Sequence, residues 1–347
     1  MRIATYNIEW FANLFSRRDK LLIDDNWSGR RDITRAAQIE AIAKVLSAID
    51  ADAILIVEAP NTGHRQSTTR ALKNFANAFE LRTRKALTGF TNETQQELAL
   101  LYDPDVMSAR HDPQGAPPNA PGGDPAPRFD GRLLMDLDID EQPEKVAFSK
   151  PPLEAEISLK NGQNLRLIGV HVKSKAPHGA KGLKDQIRIS IENRRKQLAQ
   201  CIWLRRRIDQ HLDAKTPLIV LGDLNDGPGL DEYEHLFGRS GVEIVLGTDG
   251  PEDRRLYDPS ASLALSCNLA VGPSTSRFFL HERQIYLNAL LDYIMVSADL
   301  RNRAKKWTIW HPFDNPDCYN DPDLREALLS ASDHFPVVLD LDLETPL

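Results

Sequence analysis

The sequence predicts an α/β fold, and three stretches carry the prediction. Leu218–Leu221, just after Pro217, is an unbroken apolar run that leads into Gly222-Asp223-Leu224-Asn225-Asp226. A short run of that kind reads as a fully buried strand. Ala53–Val57 is a second such run, ending at Glu58. Between the β-rich amino-terminal run Arg2–Ile8 and Ala53, apolar residues recur at Ile39, Ile42, Leu46 and Ile49, a helical period. Strand, helix, strand in that order begins an α/β chain. A buried strand that ends in carboxylates and an amide, trailed by Gly227-Pro228-Gly229, sits where α/β sheets place their chemistry. Asp, Asn and Gly also dominate ordinary turns, so the rest of the chain decides between the two readings.

The other elements follow in order. Arg17–Arg31 is polar and mixed in charge and reads as a surface loop. Ala71–Phe79 reads as a helix and Leu98–Tyr102 as a strand. His111–Asp130 carries Pro113, Pro117, Pro118, Pro121, Pro125 and Pro127 among glycines. Prolines at that density prevent regular structure, so about 109–132 is expected to be a mobile or irregular surface insertion whose removal costs little. Strands resume at Leu133–Ile139, Leu153–Leu159 and Leu165–Val170, the last ending at His171. Residues 1–347 therefore read as one domain with an insertion. Asp185–Leu212 is a long basic helix with Arg194-Arg195-Lys196 and Arg205-Arg206-Arg207, whose expected role is a solvated face and a basic carboxyl end. After Leu218–Leu221 come an irregular stretch, a strand at Ala289–Val296, an aromatic-rich loop around Trp307, Trp310 and Tyr319, and a last strand, Phe335–Leu341.

Composition bounds the function. At 347 residues, 41% hydrophobic and 27% charged, the chain can bury a sizeable core. The net charge of −7 argues against a generally polycationic nucleic-acid binder, but not against an enzyme with a local basic patch and metal ions. No apolar run approaches the roughly 20 residues of a membrane helix. Cys201, Cys267 and Cys318 lack metal-type spacing. With no signal peptide evident either, the expected location is the cytoplasm.

Chemically useful residues recur at strand ends: Asn7, Glu58, His171, Asp223 with Asn225, and Asp292, with Ser332-Asp333-His334 ahead of the last strand. Alone, each has an ordinary explanation as a turn residue, a helix-capping acid, a core histidine or a structural acid. The ordered set is harder to dismiss. Thr5-Tyr6-Asn7-Ile8, Ile56-Val57-Glu58, Val170-His171-Val172-Lys173-Ser174, Gly222-Asp223-Leu224-Asn225, Leu291-Asp292-Tyr293-Ile294 and Ser332-Asp333-His334 together resemble the endonuclease/exonuclease/phosphatase superfamily.

That resemblance implies a deoxyribonuclease-I-like four-layer α/β sandwich, two packed mixed β-sheets flanked by helices. It also implies roles. Glu58, with Asn7 and Asp333, would hold Mg²⁺, a hard cation suited to oxygen ligands, with Mn²⁺ substituting. Asp223 would position and deprotonate the attacking water, and Asn225 would hold the phosphate. His334 would meet the phosphate, steadied by Asp292, while His171 would contact the phosphate or act as general acid. Lys150, Lys173 and Lys175 would bind substrate. The tyrosine of abasic-site enzymes has no counterpart in Gly89–Tyr102, which offers Phe90 and Gln95-Gln96-Glu97, and Lys150 stands where many members have arginine.

The resulting expectation is a Mg²⁺-dependent phosphodiesterase acting on nucleic acid, without an obligate protein partner. The alternative is a phosphatase or phosphodiesterase acting on an inositol phosphate, a phospholipid head group or another small phosphoester. Lipid is disfavoured because no exposed apolar hairpin is evident. A non-catalytic binding module should lack some of the acids, and Glu58, Asp223, Asp292 and Asp333 are all present.

Overall fold

The computed structural model describes all residues except 92–95, 119, 121–122, 137–141, 178, 228–235, 267–271, 281–283 and 345–347. In chain order the first half gives β1 (Arg2–Asn7), α1 (Arg35–Ile49), β2 (Ala53–Ala59), α2 (Thr68–Ala78), β3 (Lys85–Thr88), β4 (Glu97–Tyr102), β5 (Met107–His111), β6 (Leu133–Met135) and β7 (Glu144–Val146). Next come β8 (Leu153–Leu159), β9 (Asn164–His171), α3 (Leu183–Asp213), β10 (Leu218–Asp223), α4 (Gly241–Leu246), α5 (Pro259–Ser266), β11 (Ser276–Leu280) and β12 (Ile285–Ala289). The chain closes with β13 (Asp292–Val296), α6 (Ala298–Arg301), β14 (Ala304–Ile309), α7 (Pro316–Asn320), α8 (Pro322–Ala331) and β15 (Val337–Leu341).

Two mixed sheets dominate, ordered β14-β15-β1-β2-β4-β3 and β13-β10-β9-β8-β5. β1 pairs parallel with β2, and β9 parallel with β10. Side-chain alternation explains why these strands read as unbroken apolar runs. On β2, Ile54 and Ile56 pack outward with α1, α2 and α8, while Ala53, Leu55 and Val57 face the other sheet. On β10, Leu218 and Val220 pack outward with α3 and α4, while Ile219 and Leu221 face inward. The result is four layers: helices, sheet, sheet, helices. The sheets approach closely at Gly169, where a Cβ would lie 2.5 Å from Leu55 Cδ1.

Several sequence expectations need correction. The proline-rich stretch is irregular where described, but it is packed. Ala126 and Phe129 are buried, and Phe129 packs edge-to-face on Phe148 and tilted against Trp203. The Trp203 indole donates to Pro127 O at 2.8 Å. Arg207 is fully buried, pairs with Glu154 at 3.1 Å and donates to the carbonyls of Gln114 and Ala126 at 2.7 and 2.8 Å. The basic helix is therefore no simple solvated face, since Arg194 is buried as well, against Asp226 at 2.7 Å. Net charge along a helix does not reveal which arginines find buried carboxylates.

Ala289–Val296 is not one strand. Leu290 and Leu291 separate β12, which belongs to a two-stranded hairpin with β11, from β13 in the second sheet. That hairpin exposes Ile285, Tyr286 and Leu287, so an exposed apolar hairpin does exist. Trp307 lies on β14 rather than in a loop. Of Leu133–Ile139, β6 covers Leu133–Met135, and 137–139 lie outside the described residues.

Arg207→Ala would leave Glu154 buried without its cation and the carbonyls of Gln114 and Ala126 without a donor. Urea denaturation is expected to show a loss of about 3–5 kcal/mol, the cost of breaking a buried pair from one side. A loss below about 1 kcal/mol, the scale of an exposed pair, would show that the stretch is peripheral.

Candidate active site

Strand register assembles most of the site. In the second sheet Asp223 lies opposite His171 on β9 and opposite Asp292 on β13, one row across three strands. Asp223 continues the inward face of Ile219 and Leu221, and Asn7 continues that of Ile3 on β1. The two meet across the sandwich, where Asn7 Nδ2 donates to Asp223 Oδ2 at 3.0 Å.

Backbone strain marks the same place. Gly222 has φ +130°, and a Cβ there would lie 2.1 Å from Val170 O, so only glycine can precede Asp223 in this geometry. Glu58 has φ 60° at a register shift between Val57 and Ala59. A bulge of that kind re-aims a side chain, and a left-handed non-glycine residue costs about 1–3 kcal/mol. Asn225 is also left-handed, at φ 49°. The tight turn brings Asn225 N to Asp223 Oδ1 at 2.6 Å and Asn225 Nδ2 to Asp223 Oδ2 at 3.3 Å.

His334 Nδ1 and Asp292 Oδ2 are 2.7 Å apart. Thr275 Oγ1 accepts from the Leu291 and Asp292 amides, both at 3.0 Å. Ser332 Oγ donates to Asn7 O at 2.7 Å and accepts from the Glu9 and His334 amides, fastening this turn to β1. A second chain of contacts enters from the other side. Gln96 Nε2 donates to Glu58 Oε2 at 2.5 Å, and Lys150 Nζ donates to Gln96 Oε1 at 2.6 Å. Lys150 Nζ also lies 3.2 Å from His171 Nδ1, and His171 Nε2 lies 3.7 Å from Asp223 Oδ2. An ammonium only donates, so His171 accepts at Nδ1 and carries its proton on Nε2, toward Asp223.

Burial sets the charges. It pushes Asp223 up to about 7, with the Asp292 charge adding to the effect and His334 opposing it. Burial opposes the charged form of His334, but the Asp292 carboxylate and its hydrogen bond hold the imidazole well above its ordinary value. His171 goes the other way, lowered by burial and then by Lys150 and His334. Burial raises Glu58, and burial followed by the Asp333 charge takes Glu9 up to about 7.

Two sets of groups could take a cation. Asp223, Asp292 and His334 offer ligand atoms within 4.8 Å of one another. The Asp292 partner, however, favours the protonated form of the His334 imidazole, and that form has no lone pair to give. Glu58 and Asn7 end neighbouring strands, the charge of the half-buried Asp333 acts on Glu58, and all three offer oxygen ligands; among the described residues Asn7 Oδ1 accepts no hydrogen bond. Hard oxygen donors around a desolvated carboxylate fit a divalent cation such as Mg²⁺.

Not every candidate joins this cluster. Lys175 pairs with Asp226 at 2.7 Å, beside Arg194, and Lys173 is half-buried with its backbone N–H on Gln200 Oε1. Sequence reasoning missed Glu9 and gave Gln96 no role. Glu9 was discoverable from its place two residues past Asn7, in the turn that leaves β1. Gln96 carries no comparable signal, because only the fold brings it between Glu58 and Lys150.

The endonuclease/exonuclease/phosphatase family model matches residues 4–334, nearly the whole chain. The chain belongs to this family. Family members hydrolyse phosphoester bonds and are generally dependent on a divalent metal. No curated protein sequence matches the chain. Among solved structures, an endonuclease/exonuclease/phosphatase family protein from Bacteroides thetaiotaomicron aligns over 99% of this chain and 98% of its own, at 13% identity and TM-score 0.50. An AP endonuclease from Archaeoglobus fulgidus aligns over 99% of both chains at 12% identity and TM-score 0.49. The human Nocturnin catalytic domain with bound sulfate aligns over 99% of this chain and 93% of its own, at 15% and 0.48. At such identities likeness speaks to fold alone, and the Bacteroides structure shares it.

The Asp223 carboxyl has a folded pKa above its unfolded value of about 3.9, so keeping it ionised costs the folded state, increasingly as pH rises from about 4 to 7. In chelator, Asp223→Asn is therefore expected to raise Tm, by several degrees at pH 8 and by less at pH 5. An unchanged or lower Tm at pH 8 would contradict the assigned charge state.

Proposed function

We propose that the whole chain acts as a single catalytic domain, a Mg²⁺-dependent phosphodiesterase that cleaves nucleic acid by attack of an Asp223-activated water. The observation that carries this reading is the row His171–Asp223–Asp292, with Asn7 and His334 closing over it. Glu58, Asn7 Oδ1 and Asp333 would hold Mg²⁺, with Mn²⁺ able to replace it. When bound, such a cation supplies charge neutralisation at a phosphoryl oxygen.

The chain's own groups do the rest. Asp223, with a pKa of about 7, is matched to neutral pH as a general base, because about half of it is unprotonated there and that form is basic enough to take a proton from water. Asn225 and Asn7 donate without competing for that proton. His334, kept cationic by Asp292, stabilises charge developing on the phosphoryl oxygens. His171 directs Nε2–H toward the same space, and Lys150 adds a positive charge behind it.

A second reading, a phospholipid head group as substrate, is favoured by one observation, the exposed Ile285, Tyr286 and Leu287 on the hairpin beside the site. Ser276 on β11 bridges to His334, so that hairpin abuts the catalytic histidine. Arg277 lies 4.0 Å over the Tyr286 ring, an aromatic–guanidinium pair that suits bases as well as an interface.

A panel of supercoiled DNA, single-stranded RNA, bis-(p-nitrophenyl) phosphate, an inositol phosphate and sphingomyelin vesicles, with Mg²⁺, Mn²⁺ or chelator, tests the assignment. Metal-dependent cleavage of nucleic acid is expected, and turnover of sphingomyelin alone would move the assignment to lipid. On the best substrate, single-turnover rates of Asp223→Asn and His334→Ala are expected to fall by about two to four orders of magnitude. Asp292→Asn should resemble His334→Ala, with the double variant little worse, because the pair acts as a unit. Near-native turnover by Asp223→Asn would mean that this loop is only a turn.

A further inference from the structure

The loop between β2 and α2 opens a cavity of about 570 Å³ lined by Arg18, Gly63, His64, Arg65, Ser67 and Arg70. No lining residue is acidic, in a chain whose net charge is −7. The cavity is built rather than incidental. Asp19, buried and left-handed at φ 59°, accepts from Ser67 N at 3.1 Å and from Arg70 Nε at 2.6 Å. Asn74 Nδ2 donates to Asp19 O at 2.8 Å. These bonds pin the turn that carries Arg18 onto the first turns of α2 and fix Arg70 beside it. Arg18 and Arg65 are exposed, and among the described residues neither is paired with a carboxylate.

The cavity is also close to the catalytic residues. Asn61 Oδ1 accepts from Gln96 N at 2.7 Å, and the Gln96 side chain holds Glu58. Gly63 is five residues beyond Glu58, so it lies within about 17 Å of it at full extension. A strand in a duplex carries a phosphate every ~3.4 Å of axis, so a few nucleotides span that distance.

We propose that this cavity is a second phosphate subsite, taking a backbone phosphodiester of the strand whose scissile phosphate lies at Asp223 and His334. Guanidinium groups suit the task, since their planar forks match phosphate oxygens two at a time. The subsite moves the polyanion footprint away from Lys175 and Arg194, which the fold commits to Asp226. It rests on the nucleic-acid reading of the catalytic site, but its binding can be read without catalysis.

The test is fluorescence anisotropy of a labelled single-stranded DNA 20-mer in chelator, over a salt series. The proteins are wild type, Arg18→Ala/Arg65→Ala and the charge-matched Lys44→Ala/Lys306→Ala, all checked by circular dichroism. The Arg18/Arg65 variant is expected to bind about tenfold more weakly at 0.1 M salt, with a log–log salt slope shallower by about 1.4, the value for two lost contacts to single strands. Wild-type affinity in that variant, or an equal loss in the Lys44/Lys306 variant, would overturn the subsite. Tight, Arg18- and Arg65-dependent binding of inorganic phosphate that leaves oligonucleotide affinity untouched would also overturn it, in favour of a free-phosphate site. If the expected loss appears while no substrate of the panel is hydrolysed with Mg²⁺ or Mn²⁺, the polyanion subsite stands and the catalytic reading fails.

Discussion

The hydrogen bond from Asn7 to Asp223 joins the two sheets at the point where the chemistry is proposed, and much of the structure exists to make it possible. Each partner ends a strand buried on both faces, and the inward parity of each strand delivers its last residue into the seam. The sheets approach closely enough that a Cβ at Gly169 would press on Leu55, and within the second sheet Gly222, against the Val170 backbone, adopts a glycine-only conformation. Around the bond, Asn225, His171, Asp292 and His334 occupy positions fixed by register or by short turns. The buried carboxylate is kept near neutrality rather than fully ionised, the state in which a general base is most useful at neutral pH.

Holding such a loop requires support from outside the sheet. Asp226, immediately after Asn225, is fully buried and receives Arg194 and Lys175 at 2.7 Å and the Gly241 amide at 2.5 Å. Gln197 accepts from Arg194 and donates to Asn225 O at 2.8 Å. The long basic helix thus serves as a clamp on the Asp223–Asp226 turn. A buried carboxylate with two cations and an amide is well satisfied, and removing Asp226 would leave the Arg194 guanidinium buried without its carboxylate.

The parts of this architecture legible in the sequence share one property: they are encoded locally. β2 and β10 announced themselves as apolar runs because both faces are buried, and the polar residues that close them could be read from the same runs. The order of six short motifs located Asn7, Glu58, His171, Asp223, Asp292 and His334 in the chain, and the fold gathers them. What the sequence hid depends on distant partners. Arg207 looks like a solvated charge until Glu154, 53 residues upstream, is brought to it. The prolines of 113–127 forbid regular structure but do not forbid packing, so Phe129 could be buried without a periodic signal. The exposed hairpin was concealed because β12 and β13 are separated by two leucines, which read as one continuous strand. Gln96 matters only because the fold brings it between Glu58 and Lys150.

In the proposed mechanism the site has an oxygen-ligand half, Asn7, Glu58 and Asp333, and a protonic half, Asp223, Asp292 and His334. Calorimetric titration of Mg²⁺ into the wild-type protein, Glu58→Gln and Asp292→Asn tests that division most directly, because it reads binding without turnover. If the division holds, Glu58→Gln weakens Mg²⁺ binding by at least tenfold, while Asp292→Asn keeps an affinity close to wild type. Loss of Mg²⁺ binding in Asp292→Asn with retention in Glu58→Gln would place the metal on the other half and contradict the account.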